Sequence, residues 1–157
     1  KKILEIGCGL GIASLTAKSL GYDVTASDRH PLARKFLSVN ADLTDLTKPS
    51  FQHGQWGDAE VPNIEDTNAP LLSGLYDHIL ASDVLYEPDN ALQVASFIQQ
   101  FAEEVCTVWL IDPNRGYHNH FSRAMNQYGF ILNEHKRLVN IDEDDHYRGR
   151  LLVYERE

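Results

Sequence analysis

Short apolar runs alternate with amphipathic stretches along this chain, and the alternation predicts its secondary structure. Apolar runs typical of buried strands cover residues 1–6, 23–26, 51–55, 76–80 and 105–111. Helical spacing of apolar residues follows in 12–20, 31–40, 88–104 and 118–128. Two further strands, 130–138 and 148–155, end the chain and are antiparallel because a hairpin joins them. Strands that alternate with helices predict an α/β domain with a mostly parallel sheet and helices on both faces.

A glycine-rich turn joins the first strand to the first helix. The segment 5–11 reads E-I-G-C-G-L-G, with Glu5 two residues before Gly7 and further glycines at Gly9 and Gly11. A dinucleotide fingerprint would place its third glycine at position 12, which is Ile12. A carboxylate beside the turn would repel a pyrophosphate but suits S-adenosylmethionine, which carries an ammonium and a sulfonium. The alternative is a turn that only links a strand to a helix.

The next two strand ends carry residues suited to a nucleoside. Asp28 follows the second strand, 21 residues after Gly7, where such units place an acid on the ribose hydroxyls. Its other interpretation is a helix N-cap. Trp56 follows the third strand and can stack on an adenine face, with Asp58 reading the base edge. Alternatively, Trp56 only covers the edge of the core.

The fourth strand runs into S-D-V-L-Y-E, residues 82–87. Because ligands bind beyond the carboxyl ends of parallel strands, we expect Asp83 and Tyr86 to face the same pocket as the glycine turn. A helix-cap aspartate and a core tyrosine are the plainer alternative. His118 and His120 are the one tempting pair of metal ligands, but no third ligand lies near them in sequence, so we predict solvent exposure and no metal.

Composition sets limits on the class of protein. The chain has 157 residues and a net charge of −9, which argues against nucleic acid as a partner. It has no apolar run of the roughly 18 residues that a membrane helix needs. Two cysteines suggest no disulfide framework, so we expect a cytoplasmic location. The acidic segment 142–145 either docks a basic substrate or forms a solvated hairpin tip.

Taken together, the turn at residues 5–11, Asp28, W-G at 56–57 and D-V-L-Y at 83–86 resemble the family-16 protein-lysine methyltransferases. These are seven-strand, Rossmann-like enzymes marked by a D-x-x-Y motif, and the resemblance covers nearly all of the chain. It implies one doubly wound domain over 1–157, strand order 3-2-1-4-5-7-6 and an antiparallel last strand. Family members commonly have an upstream segment, which we expect this chain to lack because it begins directly on a strand.

The resemblance also implies roles for individual residues. Asp83 and Tyr86 line the slot for the acceptor amine and are the expected catalytic residues. The remaining implied residues share contact with S-adenosylmethionine, or with its product S-adenosylhomocysteine. They are Glu5, Gly7, Cys8, Gly9, Gly11, Asp28, Arg29, Trp56, Gly57, Asp58 and Ser82.

The expected function is therefore S-adenosylmethionine-dependent N-methylation of a lysine side chain in a protein, by a monomer that uses no metal. Three other functions stay open. They are methylation of a small amine, a non-catalytic module that binds the cofactor and a partner, and an NAD-dependent reductase. The glycine spacing argues against the last.

Overall fold

A computed structural model describes residues 1–57, 68–87, 89–138 and 148–157. Its strands are β1 (Lys2–Ile6), β2 (Asp23–Asp28), β3 (Ser50–His53), β4 (Tyr76–Ser82), β5 (Ala102–Asp112), β6 (Ile131–Arg137) and β7 (Arg150–Arg156). Its helices are α1 (Ile12–Ser19), α2 (Ala33–Thr44), α3 (Asn90–Phe101) and α4 (His118–Gln127).

The strands form one sheet in the order β3-β2-β1-β4-β5-β7-β6. The pairs from β3 across to β5 are parallel, whereas β7 is antiparallel to both β5 and β6. The predicted order, the antiparallel last strand and the Rossmann-like fold are confirmed.

Two separate clusters of buried side chains hold the helices against the sheet. The smaller cluster joins Leu15 of α1 and Leu37 of α2 to Ala26 of β2. The larger cluster joins α3 and α4 to the central strands, with Ile98 and Phe121 fully buried. Burying a side chain of this size contributes roughly 1.5–3 kcal/mol, so the larger cluster supplies most of the stability.

Strand β5 departs from its prediction, because it is not buried on both faces. Val108 and Leu110 are inaccessible, but Trp109 between them is 51% exposed. A cavity of about 510 Å³, lined mostly by apolar groups of α1, β1, β4 and β5, lies beside Trp109. The reason is that α1 and α2 pack against β2 and β3 on this face, and no described helix packs over β4 and β5 there.

Two helix ends also differ from the prediction. The helix predicted over 88–104 begins at Asn90 in the described chain and ends at Phe101, because Ala102 is already extended (φ −85°, ψ 133°) and pairs with Tyr76. The second helix runs to Thr44 instead of Asn40. Both changes come from tertiary pairing or packing that local composition does not report.

The fold brings the carboxyl ends of the parallel strands to one edge of the sheet, which is where the predicted site residues lie. None of the helices in the described ranges is both long enough and apolar enough to span a bilayer.

Candidate active site

The three glycines of the turn between β1 and α1 have different roles. All three have positive φ, at 62° for Gly7, 52° for Gly9 and 76° for Gly11, which side chains rarely adopt. A Cβ on Gly11 would overlap Cδ1 of Leu37, whereas a Cβ on Gly9 would meet nothing within 4 Å. Gly11 therefore serves the packing of α1 on α2, and Gly9 leaves the turn open to a ligand.

Glu5 points into the protein instead of toward the open side of the turn. It is 4% exposed, and its Oε2 accepts hydrogen bonds from the backbone N–H of Ser14, at 2.8 Å, and from the Ser14 hydroxyl. Burial raises the pKa of Glu5, and the bonds from Ser14 oppose that rise. Glu5 thus ties β1 to α1 and supports the turn from behind, and its direct contact with a cofactor stays a prediction.

Asp28, at the end of β2, lies directly beside the turn. Its Oδ2 accepts a bond from the N–H of Gly9 at 2.8 Å, and its Oδ1 accepts one from the N–H of His30 at 2.7 Å. The carboxylate is half-buried. It is therefore held in place by backbone donors on both oxygens and retains lone pairs for hydroxyl groups.

Trp56 lies between the core and the cavity at the turn, and its stacking on an adenine stays a prediction. Its ring packs edge-on against Phe97, with centroids 5.6 Å apart and planes at 67°, so it does cover the edge of the core. The same ring would lie 3.1 Å from a Cβ on Gly7 and lines the cavity at the turn. Gly57 follows with a φ of 80°, and Asp58 lies outside the described residues.

In the D-V-L-Y turn after β4, two side chains are buried and two are exposed. Val84 and Leu85 are 2% and 1% exposed and anchor the turn in the core. Asp83 and Tyr86 are exposed, at the mouth of the cavity. The backbone of Asp83 has a φ of 52° and is held by a 2.9 Å bond from its N–H to the carbonyl of Ile111. A non-glycine residue in this conformation is strained, and such strain is concentrated at functional sites.

Arg115 is a site residue that sequence reasoning missed. Its Nε and Nη2 donate to Oδ1 and Oδ2 of Asp83 at 2.8 and 2.7 Å, a two-point ion pair between side chains that are each about half exposed. The Asp83 carboxylate raises the pKa of Arg115. Arg115 follows β5, the strand next to β4, so its place after a parallel strand was the available signal.

One cavity of about 140 Å³ is lined both by predicted cofactor-binding residues and by the predicted catalytic pair. Cys8 faces the core instead, where burial raises the pKa of its thiol, and Ser82 is exposed at the end of β4. The predicted residues that share the cavity are Gly7, Asp28, Arg29, Trp56, Asp83 and Tyr86.

The two candidate metal-ligating histidines have different surroundings. His120 is exposed as predicted, but His118 is half-buried against Arg150 and His135. Burial and the charge of Arg150 lower the pKa of His118. In the chain as far as it is described, no group of three or more ligating side chains is placed to hold a metal ion.

Solved structures with this fold define the class. The chain superposes on magnesium protoporphyrin IX methyltransferase of Synechocystis with a TM-score of 0.73 and 19% identity, over 99% of this chain and 69% of that one. The ribosomal protein L11 methylase of Lactobacillus delbrueckii gives a TM-score of 0.72 and 18% identity, over 99% of this chain and 70% of that one. The fold is that of the Rossmann-like methyltransferases.

Sequence comparison narrows the class to a family. The family model described as lysine methyltransferase matches residues 1–127, and the chain therefore belongs to the lysine methyltransferase family. The protein-lysine methyltransferase METTL21E of Bos taurus is 38% identical over 90 residues, which are 55% of this chain and 29% of that protein. The EEF1A lysine methyltransferase 3 of Xenopus tropicalis is 25% identical over 119 residues, 75% of this chain and 49% of that protein. The chain thus spans less than half of the length of either relative.

Proposed function

We propose that this protein transfers a methyl group from S-adenosylmethionine to the side-chain amine of a lysine in another protein. The observation that carries the proposal is the shared cavity, in which the glycine turn and Asp28 meet Asp83 and Tyr86. Membership of the lysine methyltransferase family supports the same chemistry.

The residues at the turn fit the cofactor. Gly9 leaves open space where a side chain would otherwise stand, and the Asp28 carboxylate beside it suits the ribose hydroxyls. The Trp56 ring offers an aromatic edge for the base. The turn leads directly into the N-terminal end of α1, where the helix dipole is positive. When bound, S-adenosylmethionine supplies an electrophilic methyl group on its sulfonium.

The acceptor half of the cavity has to deliver a neutral amine. A lysine amine is protonated near neutral pH, with an unperturbed pKa of about 10.4, and it needs a free lone pair to react. Partial removal from water lowers its pKa, and the proton leaves to solvent. Asp83 can accept a hydrogen bond from the amine while Arg115 keeps two donors on it, since each carboxylate oxygen has two lone pairs. Tyr86 contributes a second polar group at the mouth.

A small-molecule acceptor is the second candidate. The mitochondrial ubiquinone biosynthesis O-methyltransferase of Schizosaccharomyces pombe is 37% identical over 68 residues, 42% of this chain. The open mouth of the cavity does not itself fix the size of the acceptor. A protein is favoured because the family model and the cattle and frog relatives all name lysine.

The deciding experiment incubates cell extract with the full chain and S-adenosylmethionine carrying a labelled methyl group. We expect the label in acid-precipitable protein, and in methyllysine after hydrolysis. Label in small molecules alone would favour the second candidate. The Asp83→Ala variant is the control: it is expected to bind S-adenosylhomocysteine but transfer no methyl.

Two further readouts exclude the remaining alternatives. If the wild-type protein binds the cofactor and a partner but never transfers methyl, the protein is a binding module. NADH is expected not to bind.

The two buried, unpaired cysteines, Cys8 and Cys106, agree with a cytoplasmic location and a reducing environment.

A further inference from the structure

A second polar cavity lies along the same edge of the sheet, beyond the acceptor slot. Its volume is about 300 Å³, and its lining is three arginines and one asparagine. Arg137 and Arg148 are exposed and Arg150 is half-buried. No carboxylate of the described residues lies within ion-pair distance of the three guanidinium groups. We call Arg137, Arg148 and Arg150 the arginine cluster.

Strand register fixes where this cluster lies relative to Asp83. Asp83 directly follows β4, whose neighbour β5 ends at Asp112, and Asp112 is paired with Arg150 of β7. Arg150 is in turn paired with Arg137 of β6. Adjacent strands lie about 4.8 Å apart, so three spacings place the backbone of Arg137 about 14 Å from that of Asp83. Asn114, which lines the cavity, is the neighbour of Arg115.

Among the described residues that line this cavity, the charge is opposite to that of the whole chain. The protein carries −9 overall, yet this part of the edge presents three guanidinium groups. The described carboxylate among them is Asp112, which is only 1% exposed and makes no hydrogen bond to a described residue. Arg150 lies against the rings of His118 and His135, whereas Arg137 and Arg148 have no described carboxylate partner. The two exposed guanidinium groups therefore offer planar sets of donors to a carboxylate, with the charge of Arg150 behind them.

We propose that the arginine cluster binds acidic side chains of the protein that carries the acceptor lysine. The proposal rests on the proposed function, since it places the lysine at Asp83. An extended peptide covers about 3.3–3.6 Å per residue, so 14 Å corresponds to about four residues. The preferred substrate therefore has Asp or Glu about four residues from the methylated lysine, and the arginine cluster binds that acidic side chain.

Binding tests the surface without requiring activity. The probes are two fluorescein-labelled peptides of Gly and Ser with one Lys, carrying Glu-Glu or Gln-Gln four and five residues away, each made in both chain directions. In one of the two chain directions, the Glu-Glu peptide is expected to bind about three- to tenfold more tightly than the Gln-Gln peptide at low salt, as fits two half-exposed ion pairs. Arg137→Gln/Arg148→Gln is expected to abolish the difference. The control variant Lys1→Gln/Lys18→Gln removes the same amount of charge at the opposite edge of the sheet, and it is expected to keep the difference between the two peptides.

Methyl transfer to the same peptides separates this proposal from the proposed function. The Glu-Glu peptide is expected to have a lower KM and an unchanged kcat, and the arginine variant to equalise the two peptides. Equal KM values with good turnover overturn the cluster's role and leave lysine methylation standing. Discrimination in binding that depends on the arginines, but without methylation of either peptide, supports the cluster and counts against the function.

Neutralising the acidic segment, residues 142–145, distinguishes a basic substrate from an acidic one. If residues 142–145 steer a basic substrate, their change to Asn and Gln weakens substrate binding. Our proposal predicts the reverse, a tighter Glu-Glu peptide, because removing four negative charges changes the net charge of the protein from −9 to −5. Residues 142–145 themselves lie outside the described residues. A weaker Glu-Glu peptide overturns the proposal. So does a single-stranded DNA that binds more tightly than the peptide, since the cluster would then be a phosphate site.

Discussion

The two halves of the carboxyl edge are built in different ways. At the ends of β1 and β2, contacts are made mostly by backbone: Gly9 donates its N–H to Asp28, and His30 does the same from two residues away. At the ends of β4 and β5, contacts are made by side chains that meet across the chain, as Asp83 and Arg115 do over a separation of 32 residues.

This difference explains why the two halves are expected to respond differently to mutation. A backbone-built turn depends on glycine conformations and close packing, so changes there alter cofactor affinity and folding. A side-chain ion pair that is half exposed contributes little to stability because solvent screens it, so changes there are expected to leave the fold intact. We expect such changes to affect turnover.

The largest effect is expected at the acceptor half. Asp83→Asn keeps the shape but loses the charge, and kcat is expected to fall about 100- to 1000-fold, typical for loss of one group placed against a reacting centre. Arg115→Gln is expected to lower kcat less, and Arg115→Lys to restore part of the loss, because Lys keeps the charge without the two-point geometry. Steady-state kinetics and titration with S-adenosylhomocysteine measure both. A loss of cofactor affinity equal to the loss of turnover would contradict the division between the halves.

A smaller effect is expected at the cofactor half. Asp28→Asn removes a charged acceptor from the predicted ribose contact, where such hydrogen bonds contribute roughly 1.5–3 kcal/mol. Affinity for S-adenosylhomocysteine is expected to fall about 10- to 100-fold by calorimetry. Asp23→Asn, at the other end of β2, is the matched control and is expected to bind normally. Equal affinities for the two variants would show that Asp28 only supports the turn.

Substitutions at two glycines of the turn are expected to differ in their effects on stability and on cofactor binding. Gly11→Ala meets Leu37 and keeps a positive φ, and is expected to cost about 2 kcal/mol of unfolding free energy. Gly9→Ala has the positive φ but open space, and is expected to cost about 1 kcal/mol while weakening cofactor binding. Denaturant titration measures both values. A more destabilising Gly9→Ala would contradict the packing role of Gly11.

The smallest effect concerns the pH dependence at Glu5. Because burial raises its pKa, the native state holds the proton more tightly than the unfolded chain, whose pKa is near 4.5. The stability that this confers is fully present below pH 4.5 and is lost as the pH rises through the folded value. Wild type is therefore expected to lose stability relative to Glu5→Gln as the pH rises. Glu134→Gln, on exposed β6, is the control. A difference between wild type and Glu5→Gln that is independent of pH would contradict the assignment.

The sequence predicted the features that depend on local pattern. The alternation of strands and helices followed from the apolar pattern, the strand order followed from the resemblance to the family-16 methyltransferases, and both agree with the structure. The shared cavity of Asp28, Trp56, Asp83 and Tyr86 followed from the rule that ligands lie at strand ends.

Features that depend on tertiary contacts could not be predicted. Burial of Glu5 on Ser14 and the contact of Gly11 with Leu37 depend on how α1 lies on the sheet. The pairing of Arg115 with Asp83 joins residues 32 positions apart. The grouping of Arg137 with Arg148 joins the end of β6 to a residue just before β7. A periodic pattern reports which residues are buried, but not which partner they meet.

The most direct test is a crystal structure of the protein with S-adenosylhomocysteine. We predict the nucleoside across the carboxyl edge, with its ribose on Asp28 and its thioether sulfur directed at Asp83 and Tyr86. An empty cavity at saturating ligand, or a sulfur directed away from those two residues, would contradict the proposed site and the proposed reaction together.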